Sequence, residues 1–386
     1  MRRIGVVTVA RSDYGIYRSI LRAIENDPGL ELSLYVTGMH LAPEFGSTVR
    51  DIERDGYHIA ERIEMLLSSD APEGISKSMG IGVMGFAQAF GRQRPDLLLV
   101  LGDRFEMIAA ALAALPFNLP VAHIHGGEVT EGAIDECLRH AITKLSHLHF
   151  ASTEDHARRI RQMGEEPWRV HVSGAPSLDS LRDLPLLEAS ELEARFDLSL
   201  NEAPLLVTYH PVTTEFDQTE AQIAELLAAL EDLPNPLVFT LPNADTAGRK
   251  IITAIQAFVA GHPRARLVDN LGTQAYFSLM RLAAAMVGNS SSGLLEAPSF
   301  QLPVVNIGNR QKGRTRGANV IDTGNGREEI RRGIRQALSP DFAKGLRHSG
   351  NPYQGPEMAS AVIARTLRRI PIESLIPKRF SDLGLG

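Results

Sequence analysis

The chain contains a single cysteine, Cys137, which excludes an internal disulfide and a cysteine-rich metal site and suits a reducing compartment. It lacks any apolar run near the ~18 residues needed to cross a bilayer. The nearest candidates, Leu97 to Leu101 and Met107 to Leu115, are interrupted by Asp103, Arg104 and Glu106. It also lacks a basic excess. A formal net charge of -6 offers no general attraction for nucleic acid or anionic membranes, so an anionic ligand must be gripped locally. No Gly-x-Gly-x-x-Gly follows the first expected strand, so no dinucleotide cofactor is implied. No repeat of roughly 20 to 50 residues is evident, which argues against a solenoid.

What is present reads as an ordinary globular protein. Apolar residues at 44% and charged residues at 22% favour neither disorder nor a membrane class. At 386 residues the chain exceeds the size at which one core stops growing, roughly 250 to 300 residues, so two domains are expected. The start, Met1 to Thr8, reads as a strand rather than a leader, because its apolar run breaks at Arg11 and Asp13. A cytoplasmic location is expected.

Short apolar runs alternate with helical patterns in both halves. The first half gives strands at Ile4 to Val9, Leu32 to Val36, Leu97 to Leu101, Val121 to Ile124 and Leu148 to Phe150. Helices are expected between them, at Ser12 to Asn26, Glu73 to Arg94, Arg104 to Leu115, Ile134 to Leu145 and Thr153 to Met163. A polar stretch from Leu181 to Pro204 separates the halves. The rhythm then restarts with strands at Leu205 to Tyr209, Leu237 to Leu241, Ala265 to Val268, Ala285 to Val287 and Val304 to Ile307. The helices expected there are Thr219 to Leu230, Asp245 to Phe258, Gln274 to Arg281 and Ser292 to Ser299. The fold class expected is α/β, with two doubly wound Rossmann-like domains over residues 1-185 and 200-365. A tail, 366-386, packs back on the first domain or frays at its end.

In such sheets ligands bind beyond the carboxyl ends of the strands, so polar residues there carry the most weight. Arg11 follows the first strand and is placed to grip phosphate, whereas Ser12 or Asp13 reads as a helix cap. Asp103 follows the all-apolar Leu97 to Leu101. A cap for the next helix explains its type equally well but not the cluster that it faces, and Glu106 reads as a first-turn charge. The segment His123 to Glu136 concentrates imidazoles, carboxylates and glycines. His123 and His125 share a strand face, so one faces a cleft while the other is hydrogen-bonded in the core. Without cysteines or a spaced motif, His140, His147 and His149 suggest structural roles rather than a metal site. In the second half His210 follows a strand as a catalytic or phosphate-facing imidazole. Asn289 to Ser292 opens a helix whose N-terminus suits phosphate, with Glu296 one turn inside for a ribose diol. The basic loop Gly308 to Gly317 is a solvated surface loop unless it faces the cleft, where it would neutralise pyrophosphate.

Taken in order, Arg11-Ser12-Asp13-Tyr14, Gly102-Asp103-Arg104, His123 to Asp135, Thr208-Tyr209-His210-Pro211, Gly288-Asn289-Ser290-Ser291 with Glu296, and Asn306 to Arg310 resemble the hydrolysing UDP-N-acetylglucosamine 2-epimerases of sialic and legionaminic acid synthesis. The resemblance covers nearly the whole chain. It implies the glycosyltransferase-B architecture, with the active site in an interdomain cleft, a nucleotide-sugar substrate, no cofactor or metal, and a homodimer or homotetramer.

The reaction so implied eliminates the nucleoside diphosphate across C1 and C2 to a 2-acetamidoglucal and then adds water, giving N-acetylmannosamine and UDP. It requires acids and bases around one ring and charge stabilisation at the leaving group. The resemblance assigns Asp103, Glu128 and Asp135 as acid/base candidates, with His125 and His210 completing the catalytic set. Arg11, Arg104, Asn243, Ser290, Ser291, Glu296 and Arg310 are then nucleotide and phosphate ligands. Many family members carry a glutamate two residues after the histidine matching His123. This chain has His125 there and then Glu128, with a loop one residue longer before Asp135. That variant is similar to the branch acting on 2,4-diacetamido-2,4,6-trideoxy or GDP-linked sugars. A non-hydrolysing epimerase and a glycosyltransferase are the other readings of the same fold.

Overall fold

In a computed structural model of the chain, residues 1–43, 46–69, 72–131, 134–241, 248–269 and 271–382 are described. They form two compact units. The first comprises Met1–Glu128, Ile134–Arg182 and Tyr353–Gly386, and the second comprises Val129–Ala133 and Asp183–Pro352. Each is a doubly wound, Rossmann-like α/β layer.

The first unit is built on β1 (Arg2–Thr8), β2 (Leu30–Thr37), β3 (Ile59–Ile63), β4 (Leu97–Leu101), β5 (Val121–Ile124), β6 (Leu148–Ala151) and β7 (Val170–Val172). Their spatial order is β3-β2-β1-β4-β5-β6-β7, and every pairing is parallel. Parallel strands need crossover helices, which cover both faces, so central strands must be apolar on both sides. β4, Leu-Leu-Leu-Val-Leu, is buried at every residue for this reason. The order reverses between β1 and β4, which opens a crevice at their carboxyl ends.

The second unit contains β8 (Leu205–Thr208), β9 (Leu237–Thr240), β10 (Ala265–Val268), β11 (Ala285–Gly288), β12 (Val304–Ile307) and β13 (Val320–Thr323). The order β10-β9-β8-β11-β12-β13 is again parallel throughout and reverses between β8 and β11. Among the described residues, no helix is long and apolar enough to cross a membrane.

The expected division at residue 365 falls inside a continuous helix, Ala359–Arg369, that belongs to the first unit. Ile363, Ala364, Leu367 and Leu375 join the same apolar core as Ile4, Tyr17 and Leu99. The helix is capped from a distance, because the Asp179 carboxylate accepts the Ala359 and Ser360 N–H groups at 2.8 and 2.7 Å.

Beyond this helix the chain is held by charge. Lys378 donates to the carbonyls of Lys144 and Ser146 and to Glu165 at 3.0 Å, and the buried Arg169 guanidinium donates to the carbonyls of His147 and Leu375. Glu165 also accepts from Lys144 at 2.6 Å and His149 at 3.0 Å. Burial pushes the Glu165 carboxyl up, but His149, Lys144 and Lys378 outweigh it and hold the group down at about 2. Removing one partner of a buried ion pair leaves the other uncompensated. Glu165→Gln is therefore expected to lower unfolding free energy by about 3 kcal/mol in urea titrations; a loss below about 1 kcal/mol would contradict this account of the tail.

Candidate active site

Three turns of the first unit meet at the carboxyl ends of its strands. After β1 the chain enters the helix Arg11–Glu25, whose N-cap is Ala10 rather than the expected Ser12 or Asp13. Asp13 does cap, one turn inside. Its carboxylate accepts the N–H groups of Val9 and Ala10 at 2.9 and 2.6 Å and the Thr8 hydroxyl at 2.9 Å. Burial raises its pKa to about 6. Arg11 stands exposed at the first helical position.

After β4 the N-cap of the helix Phe105–Ala114 is Arg104, not Asp103, so the capping explanation of Asp103 is replaced. Asp103 instead accepts a hydrogen bond from the guanidinium of Arg139, in the helix Asp135–Leu145. Arg139 is 1% exposed and also donates to the Glu128 carbonyl at 3.1 Å and the Glu136 carboxylate at 3.3 Å. Arg104, expected at the nucleotide, pairs with Glu106 at 3.3 Å. Glu106 is in the first helical turn, but it is fully buried and not a surface charge.

After β5 the two histidines separate. His123 is buried, with Nε2 donating to the Gly102 carbonyl at 2.7 Å and Nδ1 at 3.2 Å from the Thr143 hydroxyl. It is a core histidine, and burial lowers its pKa to about 3. His125 adopts a left-handed backbone (φ 63) and donates from Nδ1 to Glu128 at 2.5 Å. A non-glycine residue held there costs roughly 1–3 kcal/mol, which surrounding contacts must offset. Gly127 (φ 73) is required, since a Cβ would run into the carbonyl of His156. Asp135 is half-buried at the start of its helix. In the first unit Arg139 thus links Asp103 to the turn in which His125 pairs with Glu128.

In the second unit the turns after β8 and β11 are stapled together. The His210 N–H donates to Asn289 Oδ1 at 2.7 Å, and Asn289 Nδ2 donates to the His210 carbonyl at 2.8 Å. The close approach depends on Gly288 (φ 139), where a Cβ would strike the Thr208 carbonyl. Arg310 and Gln311, after β12, both donate to the Asn289 carbonyl, at 3.1 and 2.8 Å. Burial, aided by Arg310, lowers the His210 pKa to about 3, so near neutrality its imidazole is uncharged.

The helix expected over Ser292 to Ser299 is a short helix, Ser292–Leu295, followed by a 3-10 turn, Ala297–Phe300. Pro298 explains the break. The macrodipole behind Ser290 and Ser291 is correspondingly small. Glu296 is buried at the junction. In the basic loop, Lys312 pairs with Glu131 at 3.0 Å, Arg314 donates to the Thr130 hydroxyl at 3.4 Å and Arg316 pairs with Asp322 at 2.8 Å. Lys312 is solvated, as a surface loop requires, while Arg314 and Arg316 are half-buried and Arg310 reaches the Asn289 turn. Asn243 lies outside the described residues. Among the described residues, no cluster of three His, Cys, Asp or Glu side chains could hold a metal ion.

Four residues escaped the sequence reading: Arg139, Ser152, His156 and Tyr276. Ser152 donates to Glu128 at 2.7 Å and lies 2.9 Å from His156 Nδ1. The Tyr276 hydroxyl, raised to about 12 by burial, is hydrogen-bonded among Ser292, Thr208 and Ser290. Each was one polar residue on an amphipathic helix or behind a strand, without a local pattern to mark it. The spacing of Arg139 one helical turn after Asp135 was the nearest available signal.

The sequence profile of a family described as UDP-N-acetylglucosamine 2-epimerase matches residues 22–368. A Campylobacter jejuni protein named GDP/UDP-N,N'-diacetylbacillosamine 2-epimerase (hydrolyzing) is 38% identical, over 99% of this chain and 99% of its own. A Legionella pneumophila protein named UDP-N,N'-diacetylbacillosamine 2-epimerase (hydrolyzing) is 37% identical, over 97% and 98% respectively. The fold is shared with a Neisseria meningitidis UDP-GlcNAc 2-epimerase solved with UDP-GlcNAc bound (TM-score 0.82, 20% identity, 95% of this chain and 99% of that one).

The buried histidines set a pH dependence. His123 titrates near 3 when folded and, when unfolded, near its ordinary 6.5. Below 6.5 the unfolded chain therefore binds the extra proton, and stability present above pH 6.5 is lost as pH falls toward 3. Between pH 7 and 5 this one group removes about 2 kcal/mol. His123→Gln is expected to flatten the pH dependence of chemical unfolding by that amount, and an unchanged slope would show that His123 is not the titrating group.

Proposed function

The chain belongs to the UDP-N-acetylglucosamine 2-epimerase family, and we propose that it is a hydrolysing member that cleaves a nucleotide-linked 2-acetamido sugar while inverting C2. One observation carries the reading: the Asp103, His125 and Glu128 cluster, held by Arg139 at the crevice of the first sheet, in a chain 38% identical end to end to a hydrolysing 2-epimerase. Removal of the weakly acidic C2 proton needs a base, and reprotonation needs an acid, each positioned at one ring. Asp103, ion-paired with Arg139, is a carboxylate placed for such a step, and Asp135 is the further carboxyl candidate.

The second unit takes the nucleotide in this reading. The neutral His210 imidazole and Arg310 meet the diphosphate, Ser290 and Ser291 donate to phosphate, and Glu296 accepts from the ribose; Arg11, on the first unit, is a further phosphate-ligand candidate. A neutral imidazole suits an incoming dianion, since the ligand's own charge favours its protonation. The named substrates of both relatives favour a UDP-linked 2,4-diacetamido-2,4,6-trideoxyglucose over UDP-N-acetylglucosamine as the sugar. The reading includes a cytoplasmic, homo-oligomeric enzyme. The exposed thiol of Cys137 suits the compartment, and exposed Met84 and Leu112, on helices that pack together, suit a subunit contact.

Proton NMR in heavy water with each nucleotide sugar tests the reading. Free nucleotide and a manno sugar deuterated at C2 are expected, fastest with the diacetamido substrate. An epimerised sugar still bearing its nucleotide would instead make the enzyme non-hydrolysing. Asp103→Asn should lower kcat by about 10²-fold or more with the fold intact; turnover within a few-fold of the native rate would remove Asp103 from the chemistry.

A further inference from the structure

His125, Glu128, Ser152 and His156 form one buried chain, with 7%, 4%, 3% and 2% of their surfaces exposed. Glu128 Oε1 accepts from His125 Nδ1 at 2.5 Å and from Ser152 Oγ at 2.7 Å, and Ser152 Oγ is 2.9 Å from His156 Nδ1. Counting hydrogens fixes the direction of every bond. A carboxylate has none to give, so His125 must donate from Nδ1 and Ser152 must direct its single hydrogen at Glu128. Ser152 Oγ can then only accept from His156, which must carry its hydrogen on Nδ1. In neutral His125 the lone pair is left on Nε2.

The backbone repeats the same coupling. Thr153 caps the helix Glu154–Gln162 by accepting the His156 N–H, and the His156 carbonyl packs directly against Gly127, two residues after His125. Arg159 of that helix donates to the Gly127 carbonyl, while Arg139 holds the Glu128 carbonyl from the opposite helix. A cap explains Thr153. It does not explain a serine and a histidine buried behind the carboxylate.

We propose that Ser152 and His156 are positioning residues that hold Glu128, and that Glu128 in turn fixes His125 in the Nδ1–H tautomer with Nε2 as the base that meets the sugar. The inference rests on the 2-epimerase reading and divides its labour, so that His125 is the catalytic residue and Glu128 orients it. The C2 proton passes to Nε2, its bonding pair becomes the C1–C2 double bond, and the diphosphate departs with the C1–O pair. The resulting imidazolium is stabilised by the Glu128 carboxylate through Nδ1–H.

The test combines ¹⁵N-histidine NMR of the full-length protein with steady-state nucleotide release, using His125→Gln to assign the resonance. His125 should show the Nδ1–H tautomer in the unsubstituted protein and a mixture in Ser152→Ala and in His156→Gln. Both variants should lose roughly tenfold or more in kcat, with KM within about twofold. Ser152→Thr, which keeps the hydroxyl, should recover most of the rate. An Nε2–H tautomer in the unsubstituted protein, or variants that raise KM and leave kcat alone, would overturn the relay while nucleotide release still stood. Failure of the unsubstituted protein to release nucleotide from any nucleotide sugar would sink the epimerase reading itself, and the relay with it.

Discussion

A guanidinium almost wholly removed from water needs acceptors, and the two terminal nitrogens of Arg139 find them in three parts of the chain. Its partners are the Asp103 carboxylate after β4, the Glu128 carbonyl after β5 and the Glu136 carboxylate in its own helix. Much of the site geometry follows from this one requirement. Asp103 is drawn off the cap position it would otherwise take. The turn from His125 to Glu128 is tied at its end, which helps to hold His125 in a backbone region that few side chains adopt.

The two units solve different electrostatic problems with one topology. The first concentrates opposite charges and an imidazole in the turns after β4 and β5, which suits proton transfer. The second joins its reversal with a neutral staple, Asn289 to the His210 backbone, and sets Arg310 against the same turn. Amide hydrogen bonds fix the loops without consuming cationic charge. Arg310 thus lies against the turn where the proposal puts an anion.

The sheet interiors were legible in the sequence, whereas of the four edge strands β10 alone was, at its expected Ala265–Val268. β4, β5 and β12 appear at their expected limits because strands flanked on both sides and both faces must be continuous apolar runs. The three unforeseen strands, β3, β7 and β13, all lie at sheet edges. Ile-Ala-Glu-Arg-Ile, Val-His-Val and Val-Ile-Asp-Thr carry polar residues because one side of each has no neighbour strand to bury it. The same logic divides the site. Asp103, His125 and His210 could be picked out because they follow apolar strands, where a polar residue is conspicuous, and Glu128 because it lies in the carboxylate- and glycine-rich loop after β5. Arg139, Ser152, His156 and Tyr276 could not, since what marks them is burial created by chain segments far away in sequence.

The return of the chain to its first unit at Tyr353 has a consequence for synthesis on the ribosome. The core around Ile4, Tyr17 and Leu99 also needs Ile363, Leu367 and Leu375, which are translated after the whole stretch Asp183–Pro352. At about 5–20 residues per second that delay is roughly ten to thirty seconds. During it the first unit stands open along the side that the last helix will cover, while the second unit, contiguous apart from a short loop, emerges complete. The half that is made first is thus the half that finishes folding last.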